Sequence, residues 1–210
     1  MPTNKNIEDK IREGRSYRPM EVRAAEDEGY IVEGYATTFN QLYTLYSEPG
    51  YKFQERVAPD AFESTDMSDV ILQYDHAGRV FARKSNGTLQ LAADEYGLKV
   101  RADLSGTEIG RQLYEEIKGG YTTKMSFGFT VEADKLEKEE TDTELTVIRT
   151  ITGIKKLYDV SAVSLPANDT TEIYARNYGE GVIAEVKEEL RLAAERKARR
   201  DALLEEIMKE

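Results

Sequence analysis

Cysteine is absent from the 210-residue sequence, and histidine occurs only once, as His76. The absence of cysteine excludes disulfide bonds, thiolate metal sites and a cysteine nucleophile, and it favours a reducing compartment. A metal site would have to use one imidazole and carboxylates, and no HExxH-type spacing of histidines occurs. The sequence therefore predicts no metal site and no other cofactor.

Basic residues are outnumbered by acidic ones, and long apolar runs are absent. Lys and Arg number 29 against 40 Asp and Glu, which gives a net charge of -11. This balance argues against a general attraction to nucleic acid or to anionic lipid. No run of about 18 apolar residues could cross a bilayer, and the N-terminus does not resemble a signal peptide. We therefore expect a soluble cytosolic protein without a nucleic-acid or membrane partner.

The composition changes along the chain and predicts one domain with two tails. Hydrophobic residues make up 40% of the sequence, enough for the core of one compact domain. Residues 1–19 are polar and predict a mobile N-terminal arm. The main domain is expected at residues 20–178, and residues 179–210 are a charged tail. The stretch 182–210 contains neither Gly nor Pro, which predicts one long helix from about residue 181.

The predicted C-terminal helix has an incomplete seven-residue repeat. The apolar positions that follow the repeat are Ile183, Val186, Leu190 and Ala193. Lys197 and Arg200 then interrupt it, which argues against a strict coiled coil. The helix could bind a scaffold, pair with another copy of the chain, or pack on its own domain.

Alternating apolar residues in the main domain predict a fold that is mostly β-sheet. One hairpin is expected at residues 21–39, turning through "EDEG", and a second in "GTLQLAADEYGLKVRADL", turning through "DEYG". Three further strands are expected in "KMSFGFTVEA", "TELTVIRTI" and "KLYDVSAVSL". The charged segment "DKLEKEETD" is interpreted as a loop between the first two of these strands.

Two shorter helices are predicted within the main domain. Ser105 and Glu108 have the spacing of a capping box, apolar residues follow at helical spacing, and "GG" closes the segment. These signals predict a helix at residues 106–118. Pro59 in "APDAFEST" suits the first turn of another short helix.

Ser126 and His76 are the residues that could form a nucleophile and its base. A serine hydroxyl needs a proton acceptor within hydrogen-bond reach, usually an imidazole that a third group orients. His76 follows the short apolar strand "VILQY" and precedes "AGR", a position where sheet proteins often expose functional residues. The alternative is structural, because lone histidines and strand serines are common, and Ser126 does not lie in a GxSxG elbow.

The strand around Ser126 has two different faces. Met125, Phe127 and Phe129 alternate as an apolar face, which places Ser126, Gly128 and Lys124 on the other face. Gly128 would leave room there for a substrate backbone. Lys124 introduces a serine–lysine dyad as a rival arrangement, although such a lysine must be buried to lose its proton. Its alternative interpretation is a solvated surface lysine.

Five segments together resemble a known family. In order they are "EGYATTFN", "ERVAPDAFEST", "VILQYDHAGRVFARKSNGTLQLAADEYGLKVRADL", "KMSFGFTV" and "LYDVSAVSLPANDTT". They resemble the prohead proteases of tailed bacteriophages over about residues 20–175. This family is similar in fold to the herpesvirus protease assemblin. The resemblance implies an α+β fold with a closed or nearly closed, mostly antiparallel β-barrel, flanking helices and serine endopeptidase activity. Carried over by position, His76 is the base and Ser126 the nucleophile.

The third catalytic residue is expected to be a carboxylate, because the herpesvirus enzymes use a second histidine and this chain has none. Asp159 occupies the acidic position before "VS" in the family pattern, and it could orient the imidazole and stabilise its charged form. It could instead bond only to neighbouring backbone. Ser161 could help to orient the histidine, and Asp75 is the other nearby acid. Candidate oxyanion donors are the backbone after "PAN" and the side chain of Arg79.

The resemblance also implies substrates and a location. The expected substrates are the scaffolding segments of the major capsid protein and the tails of the protease itself, inside the procapsid in the bacterial host cytoplasm. A homo-oligomer is compatible with the dimers of the herpesvirus relatives, although no motif requires one. The alternative is a non-enzymatic capsid assembly or scaffolding factor that acts through the long charged helix.

Overall fold

The computed structural model describes residues 16–25, 29–163 and 169–207, which contain ten strands, two α-helices and one short 3-10 helix, Lys84–Asn86. The strands are β1 (Ser16–Ala24), β2 (Ile31–Thr38), β3 (Tyr43–Glu48), β4 (Tyr51–Val57), β5 (Ile71–Tyr74), β6 (Ala77–Arg83), β7 (Leu89–Ala93), β8 (Gly97–Asp103), β9 (Lys124–Glu140) and β10 (Leu145–Val163). The helices are α1 (Glu108–Lys118) and α2 (Asp169–Ile207). The predicted mostly-β fold with a long C-terminal helix is confirmed.

The strands form one branched, open sheet. Its main path runs β3-β4-β10-β9-β1-β2-β8-β7, and β5 joins β10 on one side and β6 on the other. One edge of β10 pairs in parallel with two strands: residues 145–151 of β10 pair with β4, and residues 159–162 of β10 pair with β5. Because β3 and β7 at the two ends of the path do not pair, the described strands do not close into the barrel that the resemblance implied.

The long pair β9–β10 differs from the three separate strands expected. β9 continues through the charged segment to Glu140, and the connecting turn occupies only residues 141–144. β10 joins the other two predicted strands into one, and register shifts around Gly153 accommodate the join. The predicted loop is therefore wrong. Ladder hydrogen bonds to β10 hold polar residues in a strand that their side chains alone do not favour.

Both predicted hairpins are confirmed. β1 and β2 pair antiparallel with Val22 opposite Gly34, and β7 and β8 pair with Leu91 opposite Val100. Asp94 stabilises the second turn, since its Oδ1 accepts from the backbone N–H groups of Tyr96 and Gly97. In the first turn, residues 26–28 lie outside the described residues.

Helix α1 begins two residues later than predicted and has a different cap. The hydroxyl of Thr107 accepts from Gly110 N at 3.0 Å, so Thr107 is the N-cap. The predicted cap at Ser105 is wrong, because the backbone N–H of Ser105 bonds instead to Asp103 Oδ1 at 2.9 Å. Leu113 and Ile117 bury the apolar face of the helix against the main core, as its spacing predicts.

The short helix predicted at Pro59 does not form. Residues 59–64 are turns, and the hydrogen bonds there join residues three apart, such as Ala61 N to Ala58 O and Thr65 N to Phe62 O. The segment remains compact because Phe62 packs into the main core.

Two apolar cores hold the fold together. The main core lies between the sheet and α1 and contains Met125, Phe127 and Phe129. The second core joins α2 to the far ends of the long strands, where Val182, Ile183 and Val186 pack with Phe53, Leu145 and Val147. Full burial of a side chain such as Ile183 stabilises the fold by about 1.5–3 kcal/mol.

Helix α2 extends beyond its docked part towards the C-terminus. It begins at Asp169 and so crosses the predicted boundary between residues 178 and 179, while the division into domain and tail stays a prediction. Every side chain from 187 to 200 is exposed. In the described ranges, neither helix has the length and apolar character needed to span a bilayer.

Candidate active site

A tight turn between β5 and β6 positions His76. Tyr74 pairs with Ala77, which leaves Asp75 and His76 as the two central turn residues, with φ angles of 47° and 56°. Positive φ at both positions is the pattern of a type I′ hairpin turn, which glycine and asparagine usually supply. Asp and His tolerate positive φ better than most non-glycine residues, and strained residues of this kind cluster at functional sites. Asp75 N donates to Ala162 O at 2.9 Å, which fixes the turn against β10.

The imidazole of His76 turns back over β10 and meets Asp159. His76 Nδ1 and Asp159 Oδ1 are in hydrogen-bond contact. Asp159 Oδ1 also accepts from Ser161 Oγ at 2.8 Å. Asp159 is 2% exposed and His76 4% exposed. A buried carboxylate needs such donors to offset the loss of water.

The register of β9 and β10 places Ser126 beside this pair. Ser126 lies directly opposite Ser161, and Gly128 lies opposite Asp159. Directly opposite residues share one face of the sheet, with Cβ atoms about 4.5–5.5 Å apart. Ser126, Ser161 and Asp159 therefore share the face that His76 covers from the β5 side. Both serines have an exposed fraction of zero, so the cluster is closed to solvent.

This arrangement can activate a hydroxyl. When His76 Nδ1–H donates to Asp159, the other ring nitrogen, Nε2, carries the lone pair of the neutral imidazole. Gly128 adds no side chain beside the carboxylate. The opposite strand face, with Met125 and Phe127, belongs to the main core and holds β9 in place.

The remaining predicted site residues occupy different positions. Lys124 is half-buried on the same strand as Ser126 and stays a rival base. Arg79 is exposed on β6 and lines a groove against α1, and its oxyanion role stays a prediction. The backbone after "PAN" falls within residues 164–168, outside the described residues. Where the structure is described, no group of three or more His, Cys, Asp or Glu side chains could hold a metal ion.

Sequence reasoning missed the turn conformation of His76. Asp75 suits the first central position of a primed hairpin turn, but His76 stands where glycine usually follows, so the dipeptide is only half of the usual signal.

Comparison with known proteins gives one match. The family model of the caudovirus prohead serine proteases matches residues 18–182. No curated protein and no solved structure matches the chain. The match includes the β5–β6 turn and the whole of β9 and β10, and with them every residue of the buried cluster. The chain belongs to the caudovirus prohead serine protease family.

Proposed function

We propose that the chain is a serine endopeptidase in which Ser126 is the nucleophile, His76 the general base and Asp159 the residue that orients the imidazole. The observation that carries this assignment is the shared acceptor Asp159 Oδ1, which bonds both His76 Nδ1 and Ser161 Oγ. Ser161 in turn lies directly opposite Ser126. The family supports a serine protease that acts in capsid maturation.

The proposed reaction is acyl transfer to water. His76 Nε2 takes the proton of Ser126 Oγ–H as the oxygen attacks the peptide carbonyl carbon. The imidazolium then protonates the departing amine, and the acyl-enzyme remains. Water, deprotonated by the same imidazole, attacks the ester and releases the acid and the serine. Asp159 stabilises the imidazolium in both halves, and the hydrogen bond from Ser161 fixes the carboxylate.

Substrate entry requires movement at this site. A peptide carbonyl must come within about 3–3.5 Å of the attacking oxygen, but Ser126 has no exposed surface. The residues that cover the cluster must therefore move aside when a substrate binds. A closed resting site also excludes water from the charged pair and strengthens its electrostatic interaction.

The substrates that fit this family are the scaffolding segments of the major capsid protein and the tails of the protease itself. Cleavage would occur inside the procapsid in the bacterial host. The high local concentration there compensates for weak recognition of any one segment. A second copy of the chain is a substrate in the self-cleavage reaction and a candidate partner in a homo-oligomer.

The test is co-expression with the capsid protein of the same phage, followed by mass spectrometry of both chains. Wild-type protein is expected to generate new peptide termini, and Ser126→Ala is expected to generate none. Ser47→Ala, which removes an exposed hydroxyl on β3, is the matched control and should cleave normally. Normal cleavage by Ser126→Ala would refute the assignment.

The exposed half of α2 favours a second candidate function. Side chains 187–200 are all exposed, including Leu190, which is 46% exposed, and a helix of this kind can bind a scaffold or another copy. A purely structural assembly factor would change the number or size of particles in the same co-expression without producing any new termini.

A further inference from the structure

A groove of about 410 Å³ lies between β6 and α1. On the strand side it is lined by Tyr74, Ala77 and Phe81, and on the helix side by Leu113. Leu113 is buried, and Tyr74 and Phe81 are half-buried against the main core. The floor of the groove is therefore apolar. Ligand pockets commonly have volumes of about 300–1,000 Å³ and apolar walls with a few polar groups.

The groove begins beside the proposed base. Tyr74 and Ala77 flank the turn Asp75-His76, and both line the groove. Tyr74 pairs with Ala162 on the core face of the sheet. A polypeptide whose scissile bond lies at Ser126 would therefore reach the groove by passing over the end of the β5–β6 hairpin, and an extended chain advances about 3.3 Å per residue.

A bulge in β6 directs side chains into the groove. Leu72 pairs with Ala82 and Tyr74 with Ala77, so residues 78–81 of β6 stand opposite Gln73 alone. Bulges near active sites commonly re-aim side chains and end strand pairing. Here the bulged segment supplies Arg79 and Phe81 to the groove. β6 pairs only with β5 among the described strands, so its other edge carries backbone groups that an extended peptide could bond.

The rim of the groove carries polar groups of both signs. Arg79 stands on the strand side, and Gln112 and Glu116 stand on the helix side. All three are exposed, and none of them makes an ion pair or side-chain hydrogen bond with another described residue. An apolar floor between a guanidinium and a carboxylate suits a peptide that inserts one apolar side chain and has polar neighbours on either side.

We propose that the groove between β6 and α1 is a recognition subsite that binds a large apolar side chain of the extended capsid-protein segment and so selects which bond is cleaved. This proposal rests on the proposed protease function. It places sequence selection on α1 and the bulge of β6, separate from the residues that carry out the chemistry.

Steady-state cleavage of the purified capsid-protein precursor tests the subsite. Gln112→Trp places a large side chain in the groove from an exposed helix position. It is expected to raise KM about tenfold and to leave kcat unchanged. Glu116→Gln keeps the size of the side chain and is expected to raise KM in the same direction. Glu115→Trp and Glu115→Gln are the matched controls, because Glu115 is exposed on α1 but does not line the groove.

A substrate series identifies the bound side chain. Peptides that span the cleavage site, with each apolar residue replaced in turn by alanine, should include one replacement that raises KM for the wild-type enzyme. The same replacement should not raise KM further for the Gln112→Trp enzyme, because the two changes remove the same interaction. Equal KM increases for the Glu115 variants, or full additivity of the two changes, would overturn the subsite.

The outcomes separate this proposal from the protease assignment. If Gln112→Trp and Glu116→Gln leave KM unchanged while Ser126→Ala abolishes cleavage, the subsite is refuted and the protease remains. If Ser126→Ala cleaves at the wild-type rate, both proposals are refuted. Thermal unfolding of Gln112→Trp controls for its fold, and Glu116→Gln tests the groove independently if the tryptophan disturbs α1.

Discussion

His76 Nδ1 and Asp159 Oδ1 are in hydrogen-bond contact although 83 positions separate the two residues in the sequence. The β5–β6 turn and the parallel pairing of β5 with β10 bring them together. Asp159 is thereby placed to hold one tautomer of the imidazole, which gives the pair a testable role in the rate of the reaction.

Asp159→Asn is expected to lower kcat by roughly three to four orders of magnitude, because an amide does not stabilise the imidazolium and favours the wrong ring tautomer. The measurement is single-turnover cleavage of the capsid-protein precursor. Ser161→Ala removes only the second hydrogen bond to Asp159 and should cost about tenfold, in line with the loss of one hydrogen bond. A smaller effect of Asp159→Asn than of Ser161→Ala would contradict the assigned order.

The identity of the base is tested by two alanine variants. His76→Ala should remove most of the activity, whereas Lys124→Ala should change kcat by less than about tenfold, because only the true base transfers the proton. Lys124 is half-buried on the strand of Ser126, so it is the matched alternative. The reverse ranking in the same cleavage assay would establish a serine–lysine dyad.

Arg149 is expected to be a strong determinant of stability. Its Nη1 lies 3.2 Å from Glu55 Oε2, and its Nε contacts Asp134. Glu55 is only 3% exposed. Arg149→Met would leave that carboxylate buried without its cation and should lower the free energy of unfolding by about 3–5 kcal/mol. Denaturant unfolding measures the loss. Lys52→Met, which breaks the partly exposed pair with Glu144, should cost less than about 1 kcal/mol.

The docked and undocked parts of α2 should respond differently to truncation. Ile183 is 1% exposed in the second core, so Ile183→Ala should lower the free energy of unfolding by about 2–5 kcal/mol. Leu190 is 46% exposed, and Leu190→Ala should change the free energy of unfolding by less than about 0.5 kcal/mol. Similar losses for the two variants would show that the exposed half of the helix is also packed in solution.

Asp66 should titrate below the ordinary range. Hydrogen bonds from the hydroxyl and backbone of Ser68, together with Lys156, lower the pKa of Asp66 to about 2 from its usual 3.8. Because the pKa of the folded state is the lower one, the contribution of Asp66 to stability is fully present above about pH 4 and is lost as the pH falls towards 2. Carboxyl NMR titration measures this pKa directly. Ser68→Ala should raise it, and an unchanged value would contradict the stated cause.

The sequence predicts local structure well where period and turn residues agree. The alternation of Met125 and Phe127 with Ser126 correctly predicts which strand face enters the core, and "DEYG" correctly predicts a hairpin turn. The length of β9 is not predicted, because its polar second half is held by pairing with β10 and not by its own side chains.

The grouping of the site residues required information beyond local pattern. His76, Ser126 and Asp159 were identified together through the family resemblance, because no local rule brings residues so far apart in the chain into contact. The branching of the sheet at β10, which decides that β5 lies beside Asp159, also has no local signal. Gln112 and Glu116 of the proposed subsite have no sequence signal either, because polar residues on an amphipathic helix usually form a solvated face.

The second core restricts where the chain can be shortened. The side chains of Val182, Ile183 and Val186 cover Phe53 and Val147. A chain that ended before residue 182 would therefore expose an apolar surface at the end of the sheet and would be prone to aggregation. Loss of the chain beyond residue 187 would remove side chains that are exposed as far as residue 200 and would break the exposed ion pair between Glu189 and Lys138. If the protease trims its own C-terminus and remains active, the favourable boundary therefore lies after the last docked turn of α2.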